Sequence, residues 1–165
     1  EDTLSLHDAL PIYTEPDPRE DLSGMDVARK ILILSREIGL KLEFADITIE
    51  KIIPPACEAA PTVDAFFEEL DKANAYFEAL VNDAYAEKKV LRYIAKLENQ
   101  KISIGLRTVG ADHPFYQMDG ADNVIAFTTK RYHDRPLVIK GPGAGAEVTA
   151  SGVFADIVSI GSHLA

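Results

Sequence analysis

Apolar residues recur at helical spacing in two stretches of the chain. From about Gly24 to Ile38, residues Val27, Ala28, Ile31, Leu32, Leu34, Ser35 and Ile38 share one wide, largely apolar face. Ser23 reads as the N-cap of this helix, Asp26 as the second half of a capping box, and Gly39 as its stop. Thr62 reads as the cap of a second helix. There Phe66, Phe67, Leu70, Tyr76, Phe77, Leu80 and Val81 predict one long helix to about Lys88. Pro16 and Pro18 place Tyr13–Leu22 in a loop.

Other segments follow the strand period. Lys41–Ile53 fits one or two short strands ended by Pro54-Pro55, and Val90–Leu97 with Lys101–Val109 fits a hairpin across a Glu-Asn-Gln turn. After a loop with a turn at Asp119-Gly120, Val124–Tyr132 and Pro136–Lys140 predict two more strands. Val148 to about His163 reads as a terminal helix. Closely spaced strands joined by short loops pair mostly antiparallel. The expected fold class is therefore α+β, with one mixed, largely antiparallel sheet covered by helices.

Composition narrows the function. A chain of 165 residues, 47% hydrophobic, can bury one real core. A formal charge of −10 argues against nucleic acid or anionic lipid as the main partner, and no apolar run approaches a membrane span. A small substrate is not excluded, because one local lysine can outweigh a distant net charge. Cys57 is the sole cysteine, so no internal disulfide or cysteine-based metal site forms, which fits the cytoplasm. His113, His133 and His163 lie far apart and His7 belongs to the lead-in, so no metal site is expected. The chain does not begin with Met, and "EDTLSLHDALPI" (1–12) has no signal-peptide character. The chain reads as a fragment of a longer protein, and the native origin of the lead-in stays open.

Two stretches carry candidate chemistry. In "YTEPDPREDLSGMDVARK", five acidic residues fall within the twelve positions from Glu15 to Asp26, and Lys30 follows. Asp26 and Lys30 are one helical turn apart and share a face. A carboxylate beside an ammonium fixes the lysine, which can then polarise a carbonyl and protonate its oxygen. Glu15 and Asp21 could grip a substrate ammonium. The same pair also fits an ordinary ion pair on an exposed helix face, with Asp26 completing the cap. The second stretch is "KGPGAGAEVTASGVFADI", a strand, glycine-rich turn and helix start that could approach an anion or nucleotide. Its spacing is not G-x-G-x-x-G, and Glu147 would repel phosphate, so a supporting wall or a plain tight turn fits better than a primary phosphate loop.

With these residues in view, the sequence resembles the C-terminal part of homoserine dehydrogenase, most closely the bifunctional aspartokinase–homoserine dehydrogenase type. "YTEPDPREDLSGMDVARK" is similar to the family's substrate-site signature, and "RPLVIKGPGAGAEVTASGVFADI" to its C-terminal glycine segment. "VLRYIAKL" and "NVIAFTTKRY" also fit the bifunctional type. The resemblance implies NADPH- or NADH-dependent reduction of aspartate-4-semialdehyde to homoserine, in threonine, methionine and isoleucine biosynthesis. It implies Lys30 as proton donor, Glu15, Asp21 and Asp26 as substrate-binding residues, and Gly145 near the nicotinamide. It implies a catalytic and dimerisation region over 13–140, forming a homodimer or higher homo-oligomer. Residues 1–12 do not resemble the segment that precedes the signature in the family and read as a non-family lead-in. Residues 141–165 would return to a nucleotide-binding domain absent from this chain, so the fragment alone is expected to be inactive. A different class of function, a non-catalytic α+β module binding an amino acid as a regulatory signal, would use the same carboxylates for binding alone.

Overall fold

Pro18 begins a helix rather than preventing one. In the computed structural model, which describes residues 16–118, 122–143 and 145–164, Pro18–Leu22 forms α1. Pro18 occupies the first turn, where its missing N–H would have had no partner. Asp17 caps this turn by accepting from the Arg19 N–H at 2.9 Å. The loop expected over these residues is thus partly a helix.

The second helix, α2, covers Met25–Glu37. Its N-cap is Gly24, with φ 76°, and not Ser23. Ser23 still serves the helix start, because its hydroxyl oxygen accepts from the Met25 N–H at 3.1 Å. Asp26 makes no capping box; its carboxylate turns toward Lys30 instead. The helix ends at Gly39 as expected. There the Gly39 N–H reaches the Arg36 carbonyl and the Leu40 N–H reaches the Ser35 carbonyl, a Schellman pattern that needs the φ of 89° found at Gly39.

After a 3₁₀ turn at Phe44–Asp46, β1 takes only Ile47–Ile49. Pro55–Glu58 forms α3, and Val63–Lys72 forms α4, capped by the Thr62 hydroxyl, which accepts from the Ala65 N–H at 3.1 Å. The predicted single long helix is two: α4 ends at Ala73, whose ψ of 0° breaks the turn, and α5 runs over Asn74–Ala86. The apolar period survives the break, which is why the pattern concealed it.

Strands β2 (Val90–Glu98) and β3 (Lys101–Val109) pair antiparallel from Val90–Val109 to Glu98–Lys101. Asn99 and Gln100 both have positive φ, 49° and 62°, as a two-residue type I′ hairpin demands. β1 pairs parallel with the other edge of β3, giving the order β1-β3-β2. One face of α2 lies on this sheet: Ala28 and Leu32 bury against Ile102 and Ile104, flanked by Ile31, Ile49, Tyr93 and Ala95. A second cluster gathers Ile53, Cys57, Ala60 and Phe66. All these elements belong to a compact unit within residues 14–111.

A second unit lies within residues 112–165. It contains the antiparallel pair β4 (Asp122–Phe127) and β5 (Leu137–Pro142), then α6 (Ala146–Leu164). β4 is shorter than the predicted strand to Tyr132, and β5 runs on into the glycine segment. The predicted turn at Asp119-Gly120 lies outside the described residues. The α+β class and the largely antiparallel pairing hold, but among the described residues the strands form two sheets where one was expected. α6 exposes Val153, Phe154, Ile157, Val158 and Ile160. Among the described residues, no helix is long and apolar enough to cross a membrane.

Phe66 and Phe67 are neighbours with opposite environments, 0% and 54% exposed, their rings meeting edge to face at 5.3 Å. Phe66→Ala should cost about 3–5 kcal/mol, as for a fully buried aromatic. Phe67→Ala should cost clearly less, because more than half of that side chain already faces water. Denaturant unfolding of the two variants measures the difference.

Candidate active site

The acidic stretch is divided among three structural settings. Glu15 lies outside the described residues. Asp17 serves structure: its carboxylate caps α1 and pairs with the Arg19 guanidinium, whose hydrogen bonds hold Asp17 below the usual carboxylate range. Arg19 also donates to the Ala60 carbonyl, which ties α1 to the turn after α3. Asp21 stands exposed on α1, and α1 packs against α2.

Asp26 and Lys30 meet as the helical spacing predicts. Lys30 Nζ lies 2.8 Å from Asp26 Oδ2, with the two side chains 53% and 66% exposed. At that exposure the pair itself contributes only a few tenths of a kcal/mol to stability. The pair is cheap to form yet leaves the ammonium open to a ligand. Ala28 and Leu32, on the opposite side of the same helix, are buried, so the helix presents Asp26 and Lys30 outward from a fixed base.

What fixes the start of that helix was not read from the sequence. Gly24 faces the Tyr93 ring, and a Cβ at position 24 would stand 2.4 Å from the Tyr93 hydroxyl oxygen. Tyr93 Oη donates to the Glu50 carbonyl at 3.1 Å. Glu50 is held at two further points. Its N–H donates to the Ile104 carbonyl at 2.8 Å, and its carboxylate accepts both Arg107 Nη1 and Nη2, at 2.6 and 2.8 Å. These bonds hold the Glu50 carboxyl below its usual range. Burial, with the Glu50 charge, pushes the Tyr93 phenol up, so its O–H remains a donor. Gly105 leaves the room, since a Cβ there would stand 2.5 Å from Glu50 Oε2. The available signal was an isolated glycine inside a strand pattern, which marks a close approach.

A cavity of about 430 Å³ opens beside α1, between Arg19, Ser23, Met25, Lys51 and Glu58. Asp21, Asp26 and Lys30 do not line it. Its cations are already engaged, Arg19 by Asp17 and Lys51 by Glu58.

In the second unit, Gly145 has φ 118°, a conformation that side chains rarely adopt. Its carbonyl accepts from the Thr149 N–H at 3.0 Å, so it stands at the start of α6, where helix N–H groups are free. Gly141 belongs to β5, paired with Asn123, and is not part of a loop. Among the described residues no group of three or more His, Cys, Asp or Glu side chains converges to hold a metal ion.

Comparison with known proteins gives these features a family. The family model described as homoserine dehydrogenase matches residues 7–158, reaching into the lead-in. The chain is 48% identical over 154 residues to a chloroplastic bifunctional aspartokinase/homoserine dehydrogenase 2 of Zea mays, covering 92% of this chain and 17% of that one. It is 44% identical over 170 residues to homoserine dehydrogenase of Schizosaccharomyces pombe, covering 98% of this chain and 45% of that one. A crystal structure of a Candida auris protein of unknown function superposes with a TM-score of 0.83 at 42% identity, covering 90% of this chain and 42% of that one. The chain thus spans less than half the length of these relatives. A family match over nearly all its residues, joined to this identity and fold, places the chain in the homoserine dehydrogenase family.

Proposed function

We propose that this chain is the catalytic region of an enzyme that reduces aspartate-4-semialdehyde to homoserine with NADPH or NADH. The observation that carries the reading is the Asp26–Lys30 pair, open on one side of a helix whose other side is buried. The family match spans this segment. Lys30 donates a proton to the aldehyde oxygen as the C=O double bond becomes a C–O single bond, and Asp26 fixes the direction of its Nζ. Glu15, Asp21 and Asp26 supply carboxylates for the substrate ammonium. When bound, the reduced nicotinamide supplies the hydride that ends on the aldehyde carbon.

The positive φ of Gly145 and the helix start behind it suit close approach of a cofactor's nicotinamide end. The chain has no G-x-G-x-x-G unit for the pyrophosphate. The main nucleotide-binding domain therefore belongs to sequence outside this chain. On this reading residues 13–140 form the catalytic and dimerisation region, and 141–165 return to the nucleotide domain. The exposed Leu137, Val138 and Ile139 of β5 and the exposed apolar residues of α6 supply surface for those contacts. The enzyme assembles as a homodimer or higher homo-oligomer and works in the cytoplasm.

Three outcomes follow, measured in a full-length enzyme carrying this sequence. Lys30→Ala should lower kcat about 10²–10³-fold, the worth of one donor at a developing oxyanion, while changing KM much less. An unchanged kcat would remove Lys30 from the reaction. Glu15→Gln should raise the KM for semialdehyde and leave kcat nearly intact, because a carboxylate–ammonium contact exists in ground and transition states alike. A fall in nucleotide affinity instead would place Glu15 at the cofactor. Residues 13–165 alone should give no turnover in an NADPH-oxidation assay, since nothing holds the nicotinamide within about 3–3.5 Å of the aldehyde carbon. Turnover comparable to that of the full-length enzyme would refute the domain assignment.

A further inference from the structure

The structure assigns Tyr93 a positioning role in catalysis: it sets the start of the helix that carries Asp26 and Lys30. The inference rests on the proposed role of Lys30, but its evidence is separate. Tyr93 lies on β2, distant in sequence from the acidic stretch, yet its hydroxyl fills the space beside Gly24 where any other residue would carry a Cβ. A Cβ at 24 would also stand 3.2 Å from both Cε1 and Cζ of the same ring. The helix start can therefore approach the sheet this closely only because position 24 is glycine.

The phenol does not float in that position. Its hydrogen bond to the Glu50 carbonyl holds it, and Glu50 is in turn held by Ile104 and by the fork of Arg107. The chain of contacts runs from β3 through Glu50 and Tyr93 to Gly24, which lies two residues before Asp26. Ion pairs on exposed helix faces are loosely held. The Asp26–Lys30 pair is of that kind, so the placement of Lys30 depends on where the helix itself begins. Tyr93 sets that position, and it touches no reacting atom.

The test uses Tyr93→Phe, Gly24→Ala and the double variant in the full-length enzyme, with Lys30→Ala alongside. Tyr93→Phe keeps the ring and removes the hydroxyl and its bond. We expect kcat to fall about tenfold, with the KM for NADPH and the melting temperature close to wild type. Gly24→Ala should lower kcat about 100-fold, because the added carbon must push the helix start or the ring aside. Part of its defect, the strain of a side chain at positive φ, is unrelated to Tyr93. The double variant should recover severalfold in kcat over Gly24→Ala, since removing the hydroxyl relieves the closest contact. A merely structural role for Tyr93 would lower the melting temperature and give no such recovery.

Wild-type kcat in Tyr93→Phe overturns the inference, and so does a double variant as impaired as the product of the two single effects. If Gly24→Ala does not fold, Tyr93→Phe decides alone. Wild-type kcat in Lys30→Ala would instead sink the proposed reaction, and Tyr93 would then have nothing to position. An inactive Lys30→Ala beside a fully active Tyr93→Phe keeps the reaction and discards the inference.

Discussion

The contact on which the candidate site depends is apolar. Ala28 and Leu32 of α2 bury against Ile102 and Ile104 of β3, and the Asp26–Lys30 pair is presented from that base. Two fully buried aliphatic side chains on one strand are worth roughly 3–6 kcal/mol of transfer free energy, on a scale of about 1.5–3 kcal/mol each. The exposed Asp26–Lys30 pair is worth a small fraction of that. The scaffold therefore carries the stability, and the ion pair remains free to exchange its partner for a substrate atom. Had the pair been buried, separating it for chemistry would have exposed an uncompensated charge to a low dielectric.

The elements with a strong local signal were legible in the sequence. The 3.6-residue period marked α2 almost to its ends, Thr62 marked the start of α4, and the Glu-Asn-Gln turn marked the hairpin, whose register and two-residue turn came from the structure. Gly39 stopped α2 because the Schellman pattern needs a left-handed residue at that point. The misreadings share a cause, which is that periodicity cannot see backbone geometry. It ran α4 and α5 together across Ala73, since one residue at ψ 0° leaves the apolar spacing almost undisturbed. It assigned the cap of α2 to Ser23, because Gly24 is there for a long-range reason that no local rule contains.

The site was legible in part and for a different reason. Asp26 and Lys30 are four apart on one helix, so their meeting is a local matter, fixed once the helix is known. Tyr93, Glu50 and Arg107 come from three strands or strand ends, and their convergence on the helix start is a product of sheet topology. A single sequence carries only a shadow of it, in two glycines where side chains would be expected. Gly145 belongs to a separate compact unit, so no local rule joins it to the residues of α2.

The shortness of β1 bears on how firmly the edge beside the site is held. The β2–β3 hairpin closes across two residues, whereas Ile47 must find Ile102 across a long intervening chain that holds three helices. Loop-closure entropy and fraying both weigh more heavily on the second pairing. A three-residue edge strand is among the cheapest segments of this unit to release, and Glu50 sits immediately after it. The carbonyl that accepts the Tyr93 hydroxyl belongs to this edge, and Ile47 and Ile49 of β1 pack on the same cluster as the buried face of α2. The Glu50 N–H, bonded to the Ile104 carbonyl, is the amide whose exchange measures the free energy of releasing this edge.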